Sequence, residues 1–145
     1  MDDLYQELIL DHYRNPRNNG KLENASCEIN GHNPLCGDQI KIYLKIENNI
    51  IKDISFDGSG CAISTASASI MTESVKGKTL EEAKALFEKF HCLATGGVPS
   101  DEEGLDKLKA FEGVAQYPAR VKCATLAWHT FEAASSGSNK TITTE

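Results

Sequence analysis

Apolar residues recur along this chain at two different periods, and the points where the period changes divide it into elements. Leu4, Leu8 and Ile9 fall at helical spacing before the turn-forming run Asn15-Pro16-Arg17-Asn18-Asn19-Gly20, which predicts an amphipathic helix from Leu4 to Arg14. A short extended piece follows near Cys27 to Asn30. Ile40, Ile42, Leu44 and Ile46 then alternate strictly with polar positions, the signature of a strand with one buried face. Glu47-Asn48-Asn49 turns the chain, and Ile50, Ile54 and Phe56 return in phase to make an antiparallel hairpin. Gly58-Ser59-Gly60 is expected to stop that strand. The stretch from Cys61 to Val75, rich in Ala, Ser and Thr, is too long for a strand and reads as a helix of low intrinsic propensity held by burial, ended at Lys76-Gly77. Thr79 and Glu82 form a capping box that opens a helix to Leu93. A loop from Ala94 to Ser100, a short helix from Asp101 to Phe111 and a last helix from Pro118 to Ala134 complete the pattern, proline suiting the first helical turn. From Ser135 the chain offers nothing to bury, so 135–145 is expected to be a disordered tail.

A hairpin followed by helices is an α+β arrangement, a small antiparallel β-sheet with helices packed on one face. With 145 residues, 40% of them hydrophobic, the chain is expected to build one domain over residues 1–134. No apolar run is long enough to span a membrane, and Met1-Asp2-Asp3 is acidic where a secretory signal carries base, so a cytoplasmic protein is expected. A net charge of -6 argues against nucleic acid as a partner.

Five cysteines, an odd number with no Cys-x-x-Cys pair, point to free thiols or metal ligands rather than to a disulfide framework. Three of them stand among small or flexible residues: Cys36 in Asn33-Pro34-Leu35-Cys36-Gly37-Asp38, Cys61 after Gly58-Ser59-Gly60, and Cys123 after Pro118-Ala119-Arg120-Val121-Lys122. Cys61 and Cys123 fall near predicted helix starts, where the peptide dipole and unpaired amides favour thiolate. Arg120 and Lys122 add positive charge beside Cys123. On the last helix Val121, Ala124, Trp128 and Phe131 make an apolar stripe, with Cys123 at its margin. Three thiolates and the Asp38 carboxylate would fill a tetrahedral Zn²⁺ site, and the same groups would serve an iron–sulfur cluster; the residues alone do not choose. Cys27 and Cys92 lack such surroundings and are assigned to packing or incidental surface. His12, His32, His91 and His129 are assigned to surface or cap positions, His32 alone lying close enough in sequence to approach the site. Arg14 and Arg17 are assigned to a solvated helix end, and the acidic stretch from Glu81 to Glu112 to the wet faces of two helices.

These motifs resemble those of the U-type iron–sulfur cluster assembly proteins, the family of IscU, SufU and the N-terminal domain of NifU. The resemblance runs from Tyr5 to about Ala133 through Ile9-x-Asp11-His12-Tyr13-x-x-Pro16-Arg17-Asn18, Asn33-Pro34-x-Cys36-Gly37-Asp38, Gly58-x-Gly60-Cys61-Ala62-Ile63-Ser64 and Pro118-Ala119-Arg120-x-x-Cys123-Ala124-x-Leu126. It implies a metal site of Cys36, Asp38, Cys61 and Cys123 at one end of the molecule and a pyridoxal-phosphate cysteine desulfurase, SufS-like, as sulfur donor. Downstream iron–sulfur assembly proteins are the implied recipients. Within the family the chain looks like the SufU branch: Lys122 stands where IscU-type scaffolds carry a histidine, and the spacer between Cys61 and Cys123 is lengthened around Gly104 to Gly113. That branch implies a zinc-dependent sulfur acceptor with Cys36 taking persulfide sulfur and Arg120 assisting electrostatically. The alternatives are a scaffold for a transient [2Fe-2S] or [4Fe-4S] cluster on the same ligands, and a structural zinc domain.

Overall fold

The computed structural model describes residues 3–34 and 37–136 and, as backbone alone, residues 142–143. Helix α1 (Asp3–Arg14) leads into three strands, β1 (Cys27–Asn33), β2 (Asp38–Glu47) and β3 (Ile50–Ser59), followed by α2 (Ala62–Val75) and α3 (Leu80–Ala94). A 3-10 helix, Asp106–Gln116, precedes α4 (Pro118–Ser135), and Ile142–Thr143 add a short strand β4. The sheet order is β3-β2-β1-β4, antiparallel except that β4 runs parallel to β1.

Strand alternation decides which side of the sheet is covered. Ile29, Gly31 and Asn33 on β1 and Asp38, Ile40, Ile42 and Leu44 on β2 are all buried, whereas Glu28, Asn30 and Gln39 between them are exposed. Helices α2 and α4 lie on the buried face, with α1, α3 and the 3-10 helix packed outside them. Close approach is written into small residues. A Cβ at Gly31 would collide with the Thr130 hydroxyl, so α4 rests directly on β1. The Ser67 hydroxyl donates to the Ala124 carbonyl at 2.5 Å, joining α2 to α4. Polar Ser64, Ser67, Ser69 and Thr72 of α2 are all buried, so this helix of modest propensity is held by its neighbours on nearly every side. Helix α4 is similar: Cys123 to Trp128 are buried consecutively, so the single apolar stripe expected of it does not exist. Trp128 fills the space between α4 and α3, stacked on Phe87 and Phe90 with ring centroids 5.7 and 5.1 Å away.

Several boundaries moved for identifiable reasons. Asn48 and Asn49 take positive φ, the conformation a two-residue hairpin loop requires. The Gly58-Ser59-Gly60 run ends β3 at Ser59 as expected, but Gly58 itself lies inside the strand, paired with Ile40 at φ +137°, where a Cβ would strike the Gln39 carbonyl. Its lack of a side chain permits close strand approach, and pairing continues to Ser59. The short helix expected at 101–111 is a 3-10 helix displaced to 106–116. The Thr79 and Glu82 capping box forms as expected, at 3.1 and 3.0 Å. Of the expected disordered tail, Ser135 still belongs to α4 and Ile142–Thr143 pair with Gly31 and His32; residues 137–141 and 144–145 lie outside the described residues. Among the described residues no helix is long and apolar enough to cross a membrane.

Candidate functional site

Asn33 ends β1 and Asp38 begins β2, and the two are register partners across the sheet. Both face the helices, and both are fully buried. Asp38 is held at two oxygens: Oδ1 accepts from the Cys61 amide at 2.8 Å, and Oδ2 accepts from Asn33 Nδ2 at 3.4 Å. The same Asn33 amide group donates to Cys123 Sγ at 3.5 Å. Gly60 makes this approach possible, since a Cβ there would stand 2.8 Å from Asp38 Oδ1.

Cys61 is the N-cap residue of α2, with extended backbone at φ -70° and ψ 170°, and its Sγ accepts from the Ser64 amide at 3.4 Å. Sulfur here occupies the position usually taken by a serine or aspartate oxygen. The hydrogen bond to the Cys123 side chain, with the Ser64 and Ile63 amides, brings the Cys61 thiol down to about 6, outweighing burial and the Asp38 charge, which push it up. Cys123 sits in the second turn of α4, where its Sγ lies 3.7 Å from the Ala119 carbonyl. The helix-start argument therefore holds for Cys61 and not for Cys123, because the dipole effect fades beyond the first turn.

The outcome is a small cluster of donors: one ligand atom each from Asp38, Cys61 and Cys123 lie within 4.8 Å of one another. Around a tetrahedral Zn²⁺ with bonds near 2.3 Å, donor atoms stand about 3.7 Å apart. A contraction of about 1 Å would bring these three onto one ion. Two sulfurs and a carboxylate oxygen suit a borderline-soft cation, and three protein ligands leave a fourth position to be filled. Cys36, the fourth expected ligand, lies outside the described residues, between Asn33 and Asp38 in the chain.

The remaining expectations divide. Arg120 is exposed on the first turn of α4, and Lys122 beside Cys123 is half-buried. His32 pairs with Gln39 on the opposite side of the sheet from Asn33 and Asp38, so alternation turns it away from the cluster. His12 is no surface residue: it is fully buried, its Nδ1 2.7 Å from Ser69 Oγ. His129 is likewise half-buried rather than on the surface. Cys27, with its Sγ 3.5 Å from the Ala134 carbonyl, and Cys92 are both half-buried and apart from the cluster. Sequence reasoning missed Asn33, the residue that ties Asp38 to Cys123. Its signal was a polar residue directly before Pro34 in register with the Asp of Cys36-Gly37-Asp38.

Known proteins share this architecture. The family described as NifU-like N terminal domain matches residues 4–124. The "Zinc-dependent sulfurtransferase SufU" of Bacillus subtilis is 44% identical over 132 residues, covering 91% of this chain and 89% of that protein. The "Iron-sulfur cluster assembly scaffold protein IscU" of Streptococcus pyogenes is 39% identical over 134 residues, covering 92% and 84%. Among solved structures, a candidate iron–sulfur cluster assembly scaffold protein for the SUF system of Fervidobacterium islandicum superposes with a TM-score of 0.85 at 38% identity, covering 89% of this chain and 94% of that one.

Proposed function

The chain belongs to the NifU-like N-terminal domain family of U-type iron–sulfur cluster assembly proteins, and from that premise we propose that it is a sulfur acceptor of the SufU kind, a partner of a cysteine desulfurase in the cytoplasm. The convergence of Asp38, Cys61 and Cys123, with Cys36 two residues from Asp38 in the chain, is the observation that carries this reading. These residues would hold Zn²⁺, with Cys36 as the fourth ligand.

Bound there, the ion would keep thiols deprotonated at neutral pH and moderate their reactivity. The protein's own part follows from its side chains. The Cys36 thiolate attacks the outer sulfur of the desulfurase persulfide; a new sulfur–sulfur bond forms at Cys36, the old one breaks, and the desulfurase cysteine leaves as thiolate. The proton stays on the transferred sulfur, and no oxidant or reductant is consumed. Asn33 keeps Asp38 and Cys123 in fixed register while this occurs, and Arg120, on the exposed first turn of α4, offers positive charge to the desulfurase thiolate as it leaves. A cytoplasmic setting, where thiols are kept reduced, suits a protein that works through free cysteines.

Supporting the zinc-dependent branch are the higher identity to the Bacillus protein and Lys122 at the position before the third cysteine. In the assay that tests it, Cys36→Ala abolishes stimulation of a SufS-like desulfurase while the metal-free fold is retained by circular dichroism; stimulation within twofold of the parent would remove Cys36 from this role. The second reading, a scaffold that builds a transient cluster on the same donors and passes it to apo-proteins, is favoured by the names of the Streptococcus and Fervidobacterium relatives. Absorbance of anaerobically purified protein separates the two, because zinc is colourless and a cluster is not.

A further inference from the structure

A second group of metal-ligating side chains lies on the other side of α4. Glu88 and His91 of α3 and His129 and Glu132 of α4 line one cavity of about 280 Å³, with Phe87 as its floor. The two helices run antiparallel here, since residues 80 and 84 of α3 neighbour residues 131–136 of α4 while His91 neighbours His129. Each histidine has a glutamate three residues away on its own helix, hence on the same face one turn off.

The two rings are close neighbours in an edge contact. The imidazole centroids of His91 and His129 are 5.9 Å apart, at 75° to each other. A zinc-like ion bonded to an imidazole nitrogen at 2.0–2.1 Å stands roughly 3.2 Å from the ring centroid, so two rings on one ion have centroids roughly 5 to 6.4 Å apart. The observed separation falls inside that range. Both rings are braced edge-on against Phe87, at 6.0 and 5.2 Å, and Phe87 is itself stacked on Trp128. No hydrogen bond to either ring is found among the described residues, which leaves their nitrogens available to an occupant of the cavity. His129 is half-buried. The carboxylates are not yet closed on the rings. Exposed Glu88 and half-buried Glu132 line the same cavity and would have to rotate to close on the rings.

We propose that His91 and His129, with Glu132 and Glu88 as carboxylate partners, form a second cation site that takes a divalent transition metal of the Zn²⁺, Ni²⁺ or Cu²⁺ class and clips α3 to α4. Two imidazoles with carboxylates and no sulfur suit these ions and not Ca²⁺ or Mg²⁺. The site is separate from the thiolate cluster: His129 is six residues beyond Cys123, about 9 Å along the helix axis and roughly 240° around it. Its occupancy stabilises the folded state by mass action, independently of any desulfurase.

Protein already holding one equivalent of zinc is titrated with ZnCl₂ by calorimetry, and its histidine ring resonances are followed by NMR. The expected result is a second equivalent that shifts the His91 and His129 rings and leaves those of His12 and His32 in place, with a Tm that rises as zinc is added. His91→Gln, a change at an exposed position that spares the core, weakens this second equivalent at least tenfold and leaves the first intact; His129→Gln does the same. The proposal is overturned if no second equivalent binds, if the second equivalent survives both substitutions, or if the shifts appear at His12 or His32 instead.

Discussion

Two polar clusters are strung along α2, and they are built on opposite principles. At the helix N-terminus Asn33, Asp38, Cys61 and Cys123 bring three metal-ligating atoms to within 4.8 Å of one another. Two turns further on, His12, Ser69, Glu73 and Lys107 bring together groups that satisfy each other. His12 Nδ1 lies 2.7 Å from Ser69 Oγ, which also accepts from the Arg17 amide at 2.9 Å. Lys107 Nζ stands 3.4 Å from His12 Nε2 and 3.1 Å from Glu73 Oε1. An ammonium can only donate, so its contact with Nε2 suits a neutral ring that carries its proton on Nδ1, toward Ser69, while Glu73 Oε1 stands 3.5 Å from the same Nε2. Here acid meets base and donor meets acceptor within the chain. In the first cluster, a carboxylate and a thiol poised to ionise face one another, and that concentration of negative charge is stable when a cation joins it. Buried polarity alone therefore does not mark a functional site; an excess of one kind of group does.

The comparison breaks first at Asp38. Asp38→Ala removes a proposed zinc ligand and leaves the Cys61 amide without its acceptor, and zinc affinity is expected to fall by more than about 100-fold in competition with a chromophoric chelator. Affinity unchanged by that substitution would mean the cluster is as self-contained as the one around His12. Asn33→Ala tests the support rather than the ligands. It is expected to cost about 10–100-fold in zinc affinity, with urea unfolding of the metal-free protein showing a much smaller change than the loss of a core residue brings.

The smallest expected effect lies at the second cluster. His12→Gln should destabilise the protein by about 1–3 kcal/mol in urea unfolding while leaving zinc affinity within threefold of the parent. Burial first, then the Arg17 and Lys107 charges, hold the His12 pKa below its ordinary 6.5, against Glu73 and Asp11, which act to raise it. A folded-state pKa below the unfolded one means that the unfolded chain takes up the proton first. The contribution of His12 is therefore whole above about pH 6.5 and declines as pH falls from there through the lower folded value. The stability difference between parent and His12→Gln should shrink over that acidic window; a difference independent of pH would show that the ring is not held neutral.

The legible parts of this chain were those governed by local rules. Alternation at Ile40 to Ile46, the paired asparagines at 48 and 49, the Thr79 capping box and Pro118 at a helix start all act over a few residues, and each element was placed within a few positions of where it lies. The run Gly58-Ser59-Gly60 marked the end of β3, but not the role of Gly58 within it: that depends on the Gln39 carbonyl, nineteen positions earlier in the numbering, which only the opposite strand brings close. His12 misled for the same reason: its place in a helix says nothing of the Ser69 hydroxyl and Lys107 ammonium that close over it.

By itself, the sequence determined the kind of chemistry available: cysteines in glycine-flanked or helix-start contexts beside one aspartate, an acidic balance, and the order of strands and helices. These follow from residue type and short spacing, which the chain carries wherever it goes. Only the tertiary structure decided which groups meet. Strand register turned Asn33 and Asp38 toward the helices and His32 away, the cap of α2 fixed the Cys61 sulfur, and the packing of α4 on β1 through Gly31 brought Cys123 to the same point. Convergence of groups up to 90 residues apart, as Asn33 and Cys123 are, depends on long-range packing, which no local pattern encodes.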